Sequence, residues 1–60
     1  MKTIEIEYPE SLTAALNLSS EAFAREARLA LAIKLFEVGR VSSGQAARLA
    51  EVSRVQFLLE

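Results

Sequence analysis

The chain has 60 residues, no cysteine, no histidine and a formal net charge of −1. A chain this short forms one domain and buries only about 60% of the surface that its unfolded form exposes, so a lone monomer has little stability. Without cysteine or histidine, neither disulfide bonds nor Cys/His metal sites can add stability, so oligomerisation is the remaining way to stabilise the fold. No signal-peptide pattern opens the chain, and Lys34 interrupts the longest apolar run well short of a bilayer span. We therefore expect a cytoplasmic protein without a membrane segment.

Charge is distributed unevenly along the chain. Residues 1–26 hold two basic and five acidic side chains, a net charge of −3, whereas residues 27–60 hold five basic and three acidic ones, a net charge of +2. The C-terminal half is therefore compatible with a nucleic-acid partner. Its bias is much weaker than one that would indicate such a partner by itself.

The N-terminal residues predict a strand over Lys2 to Tyr8. Ile4, Ile6 and Tyr8 alternate with polar side chains, which is typical of a strand with one apolar face. No second strand pattern exists in the chain. We therefore expect this strand to pair with the same strand of another copy, in a homodimer.

Two helices are predicted next. Pro9 suits the first position of a short helix that stops at about Asn17. Ser19 is a plausible N-cap for the longest helix, which we expect to run to about Val38 and to end with Gly39 in the left-handed conformation.

The long helix is apolar nearly all round from residue 29 onward, so it must be buried on most sides. A chain of 60 residues is too short to cover the helix on that many sides by itself. This again indicates a subunit interface. The predicted interface residues are Ile4, Ile6, Tyr8, Phe23, Leu29, Leu31, Ile33, Leu35 and Phe36.

The pattern S-x-x-Q occurs at Ser42 to Gln45 and again at Ser53 to Gln56, and each can form a capping box that starts a helix. The implied helices run from about Ser43 to Ala50 and from Arg54 to the chain end, with a three-residue turn between them. The last helix has no stop signal, so we expect a shortened chain.

The order of these two helices is that of a helix-turn-helix, with a small residue, Ala47, at the crossing and Val52 and Phe57 in the apolar lock. The second helix would enter the major groove. There Arg54 can donate two hydrogen bonds to guanine and Gln56 can pair with adenine, while the first helix contacts phosphates. The predicted DNA-binding residues are Ser42, Ser43, Gln45, Arg48, Ser53, Arg54 and Gln56.

An alternative interpretation makes the same two helices part of a protein-interaction domain, with glutamines that only cap and arginines that are only solvated. Glu51 bears on the choice, because it stands in the turn where glycine is usual. A left-handed residue other than Gly, Asn or Asp costs about 1 kcal/mol or more there. A different turn geometry or a modest loss of stability would accommodate it.

Two other function classes find less support. A strand followed by two helices is also the ribbon-helix-helix order, but Glu5 and Glu7 would then face the DNA phosphates and be repelled. Catalysis lacks suitable groups, since the chain has no His, Cys or Asp and no two glutamates form an acid and base pair in a pocket. We expect no enzymatic activity, no metal and no cofactor.

The segments FAREARLALA at 23–32 and SSGQAARLAEVSR at 42–54 are the most specific parts of a resemblance that covers essentially the whole chain. The chain resembles the small prokaryotic uncharacterised protein family UPF0175. The resemblance implies a dimeric transcription regulator that represses its own operon and neutralises a toxin, often a PIN-domain-like ribonuclease. Members usually carry glycine where this chain has Glu51, and usually continue some tens of residues past Glu60.

Together these observations predict a mainly α-helical fold: a short strand, a short helix, a long central helix and a C-terminal helix-turn-helix. Residues 1–40 form a dimerisation segment and residues 41–60 form the helix-turn-helix. The predicted function is that of a DNA-binding, antitoxin-type regulator with operator DNA, a second copy and a PIN-domain-like toxin as partners. The alternative function is an interaction module that binds and neutralises such a toxin without reading DNA.

Overall fold

Four helices account for most of the computed structural model, which describes residues 2–59. They are α1 (Glu10–Leu16), α2 (Ser20–Glu37), α3 (Ser43–Ala50) and α4 (Arg54–Leu58). The mainly helical fold that the sequence predicts is confirmed, and the helices begin and end close to the predicted residues.

The segment before α1 corrects the strand prediction. Residues 2–9 form neither helix nor strand, so a strand over Lys2 to Tyr8 is wrong for the single chain. A strand exists through backbone hydrogen bonds to a neighbouring strand, and the described part of the chain offers no neighbour. We call residues 2–8 the N-terminal arm. Its last residue, Tyr8, rests on Phe23 of α2, with the two ring centroids 4.7 Å apart.

The start of α1 differs slightly from the prediction. Pro9 has extended backbone angles, φ −72° and ψ 143°, and precedes the helix instead of occupying its first turn. Its carbonyl accepts a hydrogen bond from the N–H of Leu12 at 3.0 Å, so Pro9 acts as the N-cap residue. α1 therefore begins at Glu10.

The other three helices all begin behind a serine. The hydroxyls of Ser19, Ser42 and Ser53 each accept a hydrogen bond from the backbone N–H three residues later, at 3.0 to 3.1 Å. Each serine so satisfies one of the N–H groups that a helix start leaves without an intrahelical partner. The three predicted N-caps are confirmed.

The first three helices also end alike. Asn17, Gly39 and Glu51 follow α1, α2 and α3 with positive φ angles of 57°, 75° and 62°. In each case the N–H of the next residue donates to the carbonyl five positions earlier, at 2.9 to 3.1 Å. This is the Schellman arrangement, which reverses the chain within two residues. The left-handed Gly39 is confirmed, and Glu51 adopts the same conformation without being glycine.

The core lies where α2, α3 and α4 meet. Phe57 of α4 is only 3% exposed and packs with three buried alanines, Ala32 of α2 and Ala46 and Ala47 of α3. Phe36 of α2 meets Phe57 edge to face, at a centroid distance of 5.6 Å. Other apolar side chains packed around this core are Leu29, Ile33, Val41, Leu49, Ala50 and Val52. The predicted lock between the last two helices is thus confirmed.

Only one side of α2 is covered within the chain. Leu29 and Ile33, which the sequence predicts in a subunit interface, pack against the core of their own chain. Leu31, Phe36 and Val38 remain exposed. The long helix therefore keeps large apolar side chains that the described residues do not fully bury.

The left-handed conformation of Glu51 leads to a prediction about the stability of the chain. Replacing it by glycine removes the left-handed strain and should raise the free energy of unfolding by about 1 kcal/mol, after the loss of an exposed ion pair with Arg28. Glu51→Ala keeps the strain and loses the ion pair, so it should be slightly less stable than the parent chain. Urea denaturation followed by circular dichroism measures both.

Arg28→Gln is the matched control, since it breaks the same ion pair without changing the turn. Its free energy of unfolding should change in the same direction as that of Glu51→Ala. Equal stabilities of the glycine and alanine variants would mean that the left-handed backbone carries no strain at this position.

Candidate nucleic-acid interface

The last two helices and their connection form one unit. Glu51, Val52 and Ser53 join α3 to α4, and Phe57 turns towards α2 behind them. The residues around Phe57 in α4 are exposed, with Val55 at 71% and Leu59, just beyond the helix, at 83%. At about 100° per residue, Val55 and Leu59 project away from the core, with Arg54 on one side and Gln56 on the other.

A hydrogen bond links the first turns of α3 and α4. The Nε–H of Arg54 donates to the hydroxyl of Ser43 at 2.9 Å. Two of the predicted DNA-binding residues are therefore in direct contact, although eleven positions separate them. No pattern in the sequence signals this bond, because it depends on how tightly the turn folds α4 back.

The two S-x-x-Q patterns behave differently. At α3 the capping box is complete: Ser42 Oγ accepts from the backbone of Gln45, and Gln45 Oε1 accepts from the backbone N–H of Ser42 at 3.1 Å. At α4 only the first of these bonds forms, from the Gln56 backbone to Ser53. Among the described residues, no hydrogen bond holds the Gln56 side chain. Its amide therefore stays available to a ligand, whereas the Gln45 side chain is already engaged.

Arg48 does not join the contact between Ser43 and Arg54. It lies five positions after Ser43, which is about 140° further around α3. Its side chain borders an open groove on the side of the N-terminal arm. The predicted residues within α3 thus do not all lie on one face of that helix.

An ion pair connects α2 to the turn. Arg28 Nε and a Glu51 carboxylate oxygen are 3.6 Å apart. Both side chains are largely exposed, at 45% and 61%, so the pair contributes roughly 0 to 1 kcal/mol. It nonetheless draws the Glu51 carboxylate towards α2. Sequence reasoning missed the pair because nothing in the sequence aligns residue 28 with residue 51.

A second surface feature is the groove beside the arm, which we call the arm groove. It has a volume of about 670 Å³ and lies between the N-terminal arm, α2 and α3. Its apolar lining residues include Ile4, Ile6, Tyr8, Phe23, Leu31 and Leu49. Four of these, Ile4, Ile6, Tyr8 and Leu31, are large exposed side chains, so the groove is open to solvent.

Two further observations describe residues 2–59. No three His, Cys, Asp or Glu side chains in this range come together in a group that could hold a metal ion. No helix formed by these residues is both long enough and apolar enough to cross a membrane.

Comparison with protein families gives one match. A family model described as an uncharacterised protein family, UPF0175, matches residues 1–60, the whole chain. The chain belongs to this family. Neither the curated proteins nor the solved structures yield a match for this UPF0175 chain.

The difference between the two glutamines can be tested in this UPF0175 chain. Gln45→Ala removes one bond of a complete capping box and should lower the free energy of unfolding by about 0.5 to 1 kcal/mol. Gln56→Ala removes no hydrogen bond formed by the side chain, so its effect should stay within about 0.5 kcal/mol. Thermal or urea unfolding of both variants, in the same buffer, measures the difference.

Since both changes replace glutamine by alanine at the third residue of a helix, helix propensity affects them equally. An equal loss of stability in the two variants would contradict the half-formed box at α4.

Proposed function

We propose that this chain is a cytoplasmic, homodimeric, DNA-binding regulator of the antitoxin type, and that α3 and α4 are its reading unit. The observation that carries the proposal is the contact between Arg54 and Ser43 at the exposed start of α4. A long arginine side chain on a surface helix loses much rotamer freedom when it binds a ligand. The hydroxyl of Ser43 restricts that freedom before any ligand arrives.

The geometry of Arg54 suits a base contact. Its Nε–H is used by Ser43, which leaves both terminal amino groups of the guanidinium for other acceptors. Guanine presents O6 and N7 in the major groove, and a guanidinium can bond both at once. Arg54 is therefore the residue to which we assign guanine recognition.

The neighbours of Arg54 supply complementary chemistry. The side-chain amide of Gln56 carries a donor and an acceptor, which match N7 and N6 of adenine. Val55 projects between Arg54 and Gln56 and can contact a thymine methyl group. Arg54, Val55 and Gln56 thus offer three different kinds of base contact, with Val55 on the outward side of α4 and Arg54 and Gln56 on its two flanks.

The size of the chain supports a dimer on DNA. Its longest dimension is 33 Å, and two-fold dimers of helix-turn-helix proteins read half-sites about 34 Å apart. Two copies side by side are large enough to span that distance. In this proposal, the outward-facing apolar residues of α2 and the arm lie between the copies.

The test is a titration against the DNA upstream of the gene and against a scrambled duplex, at several salt concentrations. Arg54→Ala should weaken binding to the preferred site by about 1 to 3 kcal/mol and reduce the preference over scrambled DNA. Arg48→Ala should weaken binding to both duplexes alike and reduce the salt slope by about 1. Arg25→Ala, in the acidic half of the chain, is the matched arginine control and should change neither.

Weak binding that is equal for both duplexes, with the same salt slope for all three variants, would refute DNA reading by α4.

A second candidate function is an interaction module that binds and neutralises a PIN-domain-like nuclease toxin without reading DNA. The observation in its favour is the apolar outer surface around α4, where Val55, Leu58 and Leu59 are all exposed. Apolar groups in this number are more typical of a protein contact than of a phosphate contact. In this case the chain should co-purify with the product of the adjacent gene, Leu58→Asp should abolish that co-purification, and Arg54→Ala should leave it intact.

A further inference from the structure

The arm groove is a cavity that the chain lines but does not fill. Ile4 and Ile6 border it and yet remain 75% and 67% exposed. Across it, Phe23, Leu31 and Leu49 present apolar side chains from α2 and α3. At about 25 cal/mol per Å², leaving this much apolar surface in water is unfavourable for so small a protein.

The backbone of the N-terminal arm is also without partners. Among the described residues, the backbone hydrogen bonds begin with Leu12 donating to Pro9, and none involves residues 2–8. The arm therefore presents unpaired N–H and C=O groups along an alternating apolar and polar segment. Such a segment is a template for pairing with another extended chain.

Charge favours an acidic segment as the occupant. Lys2, Arg28 and Arg48 border the groove, against one carboxylate, Glu51, which already pairs with Arg28. The arm itself carries Glu5 and Glu7, and neither borders the groove of its own chain. The arm carries Lys2, Glu5 and Glu7, a net charge of +1 − 2 = −1, whereas Arg28, Arg48 and Glu51 at the groove carry +2 − 1 = +1, so the two are complementary in the sign of their net charge.

We propose that the N-terminal arm of a second copy fills the arm groove, and that the exchange is reciprocal. The arm and the groove border each other on one chain, so a two-fold axis allows both copies to be filled at once. The two arms then lie side by side and satisfy each other's backbone groups, while the isoleucines enter the partner groove. This inference specifies the homodimer of the proposed function and does not depend on DNA binding.

Removing the arm tests the inference directly. Deletion of residues 2–7 leaves Tyr8, Phe23 and every helix in place, so circular dichroism should show unchanged helix content. Sedimentation equilibrium should find the full chain dimeric at micromolar concentration, with the dissociation constant raised at least about 30-fold by the deletion. A full chain that is still monomeric at a concentration of about 100 μM would overturn the inference. So would a dimer whose dissociation constant is unaffected by the deletion.

Cross-linking tests which surfaces meet. Because the chain has no cysteine, an equal mixture of Ile6→Cys and Leu31→Cys chains can form a mixed disulfide only between copies. We expect that mixed disulfide to exceed the product of Ile6→Cys with Val55→Cys about tenfold, since Val55 is 71% exposed and does not border the groove. Mass spectrometry of the peptides identifies each product. Equal yields from the two mixtures would exclude the exchange.

The outcomes separate this inference from the DNA proposal. A dimer with the expected cross-link but without site preference on DNA keeps the arm exchange and refutes the reading role of α4. Conversely, a monomeric chain whose groove takes up an apolar fluorescent dye refutes the exchange, because the groove is then empty of protein in solution. Both measurements use the full chain without DNA.

Discussion

The fold depends on one packing contact, that of Phe57 against three alanines. Ala32 on α2 and Ala46 and Ala47 on α3 are small enough to let their helices approach closely, and the ring of Phe57 closes the gap from α4. Within the described residues, no other large side chain is as fully buried. The two short C-terminal helices are therefore held in place by α2, since neither is long enough to be stable alone. The packing of α3 and α4 on α2 therefore decides which of their side chains face the solvent.

The helix boundaries were predictable because the interactions that set them are local. A serine cap reaches three residues along the chain, and a Schellman turn reaches five. The residue types at Ser19, Ser42 and Ser53, and the glycine at position 39, therefore carried the necessary information. Glu51 was recognisable as a turn residue from the same logic. The turn at Glu51 is made by backbone hydrogen bonds, from Glu51 to Arg48 and from Val52 to Ala47, and not by the glutamate side chain.

The remaining features depend on partners distant in the sequence. The strand prediction failed because alternation shows which side chains share a face but cannot supply the neighbouring strand. The packed side of α2 was ambiguous because apolar residues surround the helix, so periodicity selects no single face. Likewise, the bond from Arg54 to Ser43 joins two exposed polar side chains that no periodic pattern relates. Sequence reasoning named both residues as DNA contacts but assigned them separate roles.

Glu51 belongs to two parts of the molecule at once. It provides the left-handed residue that folds α4 back on α3, and its side chain forms part of the wall of the arm groove. An occupant of the groove would therefore lie close to the residue at which the chain turns from α3 towards α4. By thermodynamic linkage, an occupant that favours one arrangement of Glu51 and Arg28 also biases the turn, and a ligand held by α4 biases the groove equally in return. If a second copy fills the groove and α4 holds DNA, as proposed, the two binding events would share Glu51 as a common point of contact.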